Sequence, residues 1–173
     1  EFPRDFFKGI RDIKEVYIEK QNISTLSKDM LSEIPDTLNT LAVTESNLRT
    51  IEAGFISKFK YLGALKLTGN LLTELSPELL VGSDFLRWLF VNDNQITTIK
   101  NGTFNGHSML SKLKLRGNPL VSVPDNVLDD VFLHEVEFPT TISEDKCNTL
   151  LKRQPELSHT ICPHINTYNS DEE

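Results

Sequence analysis

The pattern L-x-x-L-x-L-x-x-N-x-L recurs in close form as "LGALKLTGNLL" from Leu62, "LRWLFVNDNQI" from Leu86 and "LSKLKLRGNPL" from Leu110. Looser copies begin at Ile13 ("IKEVYIEKQNI"), Leu38 ("LNTLAVTESNL") and Leu133 ("LHEVEFPTTIS"), so successive starts lie 25, 24, 24, 24 and 23 residues apart. A further apolar residue falls 18 positions after each of the first five starts, at Leu31, Ile56, Leu80, Phe104 and Leu128. A phase held over five periods requires a fold in which each period is one structural unit.

The period has a physical reading. Each copy supplies one short strand whose alternating side chains point to opposite faces, so Leu65 and Leu67 turn inward while Lys66 turns out. One copy cannot bury its own leucines, and stacked copies share a continuous core, with parallel strands about 4.8 Å apart. The residue 18 positions on closes the far side of the coil. At the bend after each strand, backbone groups lose their ladder partners and need others. A carboxamide both donates and accepts, so Asn70, Asn94 and Asn118 are read as a structural ladder bridging adjacent coils. Gln21 and Ser46 hold that position in the first two copies, which predicts a less regular N-terminal third.

Composition narrows the class. The chain has 173 residues, 38 % hydrophobic and 25 % charged, which suits a soluble domain with a sizeable core. A net charge of -7 argues against general binding of a phosphate backbone, so no nucleic-acid partner is expected. No apolar run approaches the roughly 18 to 20 residues of a membrane span, so membrane insertion by this segment is not expected either. Cys147 and Cys162 suggest one terminal disulfide, with two buried free thiols the alternative. Asn22 and Asn101 open N-glycosylation triplets, weak signals singly, which with the cysteines tilt the compartment outward.

The repeat resembles the leucine-rich repeat family, in its 24-residue type common outside cells. The resemblance covers roughly residues 6 to 142 and is similar to secreted arthropod repeat proteins and Toll- or Slit-like ectodomains. It implies an α/β solenoid: a right-handed horseshoe with a short-stranded parallel sheet on its concave face, a mostly irregular or 3-10 convex side and a small helical C-terminal cap. It also implies an extracellular protein-recognition role without a cofactor, with immune recognition and adhesion as common uses. Family caps often hold four cysteines, whereas this chain has two, a departure from the vertebrate receptor pattern.

The expected organisation is a partial N-terminal repeat or cap over 1–12, six repeats over 13–142, a cap over 143–162 and an acidic tail over 163–173. Phe2, Phe6 and Phe7 would leave an apolar patch, so the chain is expected to continue upstream, with a makeshift Phe cap as the alternative. Ser143 followed by Glu144 and Asp145 marks a helix start, placing Leu150 and Leu151 against the open core. A Cys147–Cys162 bond would close a 16-residue loop, worth about 3 kcal/mol on the chain-entropy account.

Chemistry is sparse. His107, His134, His159 and His164 accompany no nucleophile motif. "HTICPH" brings His159, Cys162 and His164 together, but a single local cysteine is better explained by a disulfide than by zinc. No enzyme is expected. The outward strand positions say more. Their central column reads Tyr17, Ala42, Lys66, Phe90, Lys114, Glu137, and the preceding one Glu15, Thr40, Ala64, Trp88, Lys112, Glu135. Arg116 follows in the third column. Large aromatics and Arg are enriched among binding hot spots, which makes Trp88 and Phe90 candidate anchors. Tyr17, Lys66, Lys112, Lys114 and Arg116 would form a rim suited to an acidic protein partner. The bland alternative is that the aromatics serve cross-strand packing, with Trp88 flat against Lys112. A second functional reading is dimer assembly through the convex side or the N-terminal end.

Overall fold

The computed structural model describes residues 7–154, 157, 159–162 and 165–168. The expectations placed on Phe2, Phe6, His164 and the acidic end at 169–173 lie outside the described residues. Six strands, Glu15–Glu19, Thr40–Thr44, Ala64–Lys66, Trp88–Phe90, Lys112–Lys114 and Glu135–Glu137, pair in parallel in chain order. Their register advances by one repeat per strand, so Val16, Leu41, Leu65, Leu89, Leu113 and Val136 form one stack. The second inward column, Ile18, Val43, Leu67, Val91, Leu115 and Phe138, is buried beside it.

The far side closes through Leu31, Ile56, Leu80, Phe104 and Leu128, all buried. They ride on a 3-10 helix at Lys28–Leu31, a single helical turn at Pro77–Leu80 and irregular turns elsewhere. Two-residue strands link neighbouring returns, Thr25–Leu26 with Thr50–Ile51 and Glu74–Leu75 with Thr98–Ile99. The architecture is the parallel-strand leucine-rich solenoid with few helices. Its stability comes from side-chain burial, with about 1.5–3 kcal/mol for each large apolar side chain removed from water.

Between the strands and the returns run buried carboxamides. Asn70 Oδ1 accepts from Ser46 N at 3.0 Å and Leu48 N at 3.1 Å, while its Nδ2 donates to Val43 O at 2.7 Å and Leu67 O at 3.0 Å. Asn94 and Asn118 repeat the arrangement one and two turns on. In the earliest bend the Ser46 hydroxyl substitutes, accepting from Gln21 N at 3.2 Å and donating to Thr44 O at 2.7 Å.

Strand pairing is therefore not less regular in the N-terminal third, contrary to the sequence expectation. The strands Glu15–Glu19 and Thr40–Thr44 span five residues each, against three for each later strand up to Glu137. The irregularity lies in the turn backbone. The eighth repeat position has positive φ in five copies, filled by Gly69 and Gly117 but also by Lys20, Glu45 and Asp93. Asn47 adds a further positive φ of 59° in the second bend.

The C-terminal end departs further from expectation. The helix Glu144–Leu151 starts where the acidic pair predicts, its Ser143 cap accepting from Lys146 N at 3.3 Å, and Leu150 is fully buried. Beyond it, His159–Cys162 adds a seventh parallel strand, with Glu135 paired to His159. The stretch expected as the start of an acidic tail supplies an antiparallel partner, Ile165–Tyr168, that pairs with this strand. Cys162 occupies the place of an inward leucine and bonds to Cys147 on the helix. That bond leaves no thiolate for the zinc arrangement considered above.

Candidate recognition surface on the open sheet face

Strand alternation puts Trp88 and Phe90 on the open face, two residues apart on one strand. Their rings stack with centroids 6.5 Å apart and planes only 2° from parallel. Trp88 remains 42 % exposed, so the indole is not part of the core. The neighbouring strands add cations. Lys112 Nζ sits 5.8 Å from the Trp88 ring centre, and Lys66 Nζ lies 6.0 Å from that of Phe90 and 5.8 Å from that of Tyr17. Lys66 thus reaches across the Ala42 rung, where an outward alanine is 2 % exposed. Such contacts contribute about 0.5–1 kcal/mol each at exposed sites, a bias toward the observed orientation of the aromatic faces.

Tyr17 stands at the first strand, its hydroxyl donating to Glu15 Oε2 at 3.1 Å. That hydrogen bond to a carboxylate raises the phenol above its ordinary value.

The electrostatics differ from a simple basic rim. Lys112 pairs with Glu135 at 2.9 Å, and Lys114 pairs with both Glu135 and Glu137 from the next strand. Hydrogen bonds from Lys114 and then Lys112 lower the Glu135 carboxyl below its ordinary value. Burial pushes Lys114 down, yet its bonds to Glu135 and Glu137 outweigh this and its value is raised. The two lysines are therefore largely compensated, because the register places the acidic strand directly beside them. Among the described residues, Lys66 and Arg116 are the sequence-predicted cations without an ion pair on this face.

A second set of residues lies along the N-terminal edge of the sheet. A cleft of about 410 Å³ is lined by Asn39, Tyr61, Gly63, Phe85, Arg87 and Trp88, together with Ala64. Tyr61 and Phe85 have centroids 6.2 Å apart and are 60 % and 48 % exposed. Both occupy the position just before the first leucine of a copy, as do exposed Met109 and Phe132. Aligning that column reveals the ridge, which comparing outward strand positions alone does not. Asn22 and Asn101 are exposed away from these strands, and Asn22 accepts from Asn47 Nδ2 at 3.4 Å. Among the described residues no group of His, Cys, Asp and Glu could hold a metal ion, and no helix is long and apolar enough to cross a membrane.

Comparison with known proteins agrees with this geometry. No curated protein sequence matches the chain. A leucine-rich repeat protein of Leptospira interrogans superposes with a TM-score of 0.66 and 26 % identity, over 90 % of this chain and 38 % of that one. The LRIM1/APL1C complex matches with a TM-score of 0.70 and 16 % identity, over 83 % of this chain and 26 % of that chain. The chain thus spans well under half the length of either structure. Residues 36–96 match the leucine rich repeat family model, and the fold throughout the repeats is that of leucine-rich repeat proteins.

Proposed function

We propose that this chain is a protein-recognition module, extracellular as a secreted protein or an ectodomain, that binds its partner through the open sheet face. Trp88 and Phe90 are the anchors. Lys66 and Arg116 supply uncompensated positive charge for an acidic patch on the partner, and Tyr17, Lys112 and Lys114 complete the surface. The observation that carries this reading is the solvent-exposed Trp88–Phe90 stack held between Lys66 and Lys112. Exposed aromatics in a preorganised arrangement lose little side-chain freedom on binding. The Cys147–Cys162 disulfide supports the compartment, since such bonds persist in oxidising surroundings. Immune recognition or adhesion is the use we assign to it, on the resemblance stated above. One of the structural relatives is itself a complex.

The test is affinity capture from the native extracellular fluid with wild-type protein and a Trp88→Ala/Phe90→Ala double variant. Loss of the captured partner in a variant with wild-type circular dichroism supports the reading, and equal capture by both removes it. Sedimentation over a range of concentrations addresses the rival in which the chain assembles with itself: self-association that survives the double variant favours the convex side or the N-terminal end.

A further inference from the structure

The geometry points to a second recognition element: the edge cleft between Tyr61, Phe85 and Trp88 takes an extended peptide of a partner protein, inserting an apolar, preferably aromatic, side chain beside an aspartate or glutamate that Arg87 binds. It extends the open-face reading over the rim of the sheet and rests on it only through Trp88, the wall the two surfaces share.

Three observations carry it. The cleft, about 410 Å³, falls in the range of built ligand sites, and three aromatic rings form its walls. Gly63 brings no side chain to its floor, and a Cβ there would press on the Asn39 side chain, 3.3 Å from Nδ2. Its charge is one-sided. Arg87 is exposed, and among the described residues its side chain has no ion pair or hydrogen-bonding partner, while no carboxylate lines this cleft. On a chain of net charge -7 that is a local inversion of sign. A guanidinium beside aromatic faces binds a carboxylate in a two-point fork, and a basic side chain in its place would be repelled.

The edge also suits an extended guest. The groove continues past Tyr61 and Asn39 toward Thr37, Lys14 and Glu15, where Lys14 is paired with Asp12 at 3.0 Å and the Glu15 carboxylate accepts from Tyr17. Lys14 is thus matched, while the Glu15 carboxylate, bonded to a neutral phenol, keeps its negative charge, so an acidic guest residue is favoured at the Arg87 end of the groove. In the other direction the exposed column continues through Met109 and Phe132, the latter 61 % exposed. Successive rungs about 4.8 Å apart give a peptide repeated apolar footholds.

The test is selection of random heptapeptides displayed on phage against the folded protein, in parallel with three variants. Wild type should enrich Phe, Trp or Leu within two residues of Asp or Glu. Arg87→Glu, at an exposed position, should reverse the enriched charge to Lys and Arg. Gly63→Val, which crowds Asn39 at the floor, should abolish enrichment, whereas Arg116→Ala, on the open face and outside the cleft lining, should leave it intact. A synthetic peptide of the enriched sequence should shift the emission of Trp88, the single Trp of the chain, and bind Arg87→Glu at least tenfold more weakly. Absence of enrichment, enrichment without acidic residues, or an unchanged motif in Arg87→Glu overturns the proposal. Loss in Arg116→Ala together with insensitivity to Gly63→Val would place the peptide on the open face alone, which also overturns it while leaving the open-face reading standing.

Discussion

The side-chain amide of Asn94 donates to the main-chain carbonyl of Leu67 at 2.9 Å, joining residues 27 positions apart in the chain. The same carboxamide accepts from Leu72 N at 3.1 Å and donates to Val91 O at 3.0 Å. Asn94 is buried, and Leu72 N depends on it alone, whereas Leu67 O and Val91 O are shared with Asn70 Nδ2 and Asn118 Nδ2 of the adjoining turns.

Replacing Asn94 with Ala should therefore leave Leu72 N without an acceptor and thin the ladder on both sides. An orphaned buried backbone group costs about 1–3 kcal/mol; Leu72 N is orphaned here, while Leu67 O keeps Asn70 Nδ2 and Val91 O keeps Asn118 Nδ2, so a loss of about 2 kcal/mol is expected in urea unfolding. Asn94→Asp keeps the acceptor but sets a carboxylate against two carbonyls, and should be as damaging at neutral pH. A loss under about 0.5 kcal/mol for both variants would contradict the bridging role.

Turn backbone offers changes of opposite sign. Glu45 has φ of 50°, where a residue with a Cβ is strained by about 1–2 kcal/mol. Glu45→Gly should stabilise by up to about 1 kcal/mol after the added freedom of the unfolded chain is counted. Gly117→Ala should destabilise, because φ is +73° and the new Cβ would fall 2.1 Å from Asp93 Oδ1. Thermal melts of the two variants should move in opposite directions.

The C-terminal end is held by two devices. The Cys147–Cys162 disulfide ties the last helix to the seventh strand. Buried Gln154 accepts from Leu133 N at 3.2 Å and donates to Leu128 O at 2.6 Å and Val131 O at 3.0 Å. Reduction should cost about 3 kcal/mol, and Gln154→Leu about 2 kcal/mol or more. Hydrogen exchange should show the loss of protection concentrated after Leu128, and uniform loss along the solenoid would argue against a local cap.

Acid should act in two windows. His107 is buried, and burial outweighs the Ser83 carbonyl in pushing its imidazole below the ordinary value. The unfolded state then binds the proton more readily, so stability falls as pH drops below about 6.5. Glu135 is lowered by Lys114 and Lys112, so its contribution is present at neutral pH and lost as pH falls from about 4.3 toward its folded value. Urea midpoints against pH should lose the upper slope in His107→Leu and part of the lower slope in Glu135→Gln.

The repeat, its inward leucines, the return residues and the helix opening at Ser143 were legible in the sequence because each follows from spacing or local capping. The seventh strand was not. Thr160 and Cys162 fill the inward places that leucines mark elsewhere, so periodicity alone passes over them. Similarly, Trp88 and Phe90 could be assigned to the open face by alternation, but their mutual stacking depends on side-chain rotamers, which alternation does not specify.

Sequence alone determined that this chain is a stack of 24-residue turns, since no single turn can bury its own apolar residues and the phase never breaks. Tertiary structure decided what the surface presents. Parallel register sets Glu135 and Glu137 beside Lys112 and Lys114, cancelling charge that composition would count as free. It also aligns Tyr61 and Phe85 with Trp88 around Asn39 and Gly63 and leaves Arg87 unmatched. Coulomb interactions and cleft shape depend on distance across rungs, which the order of residues along one strand does not specify.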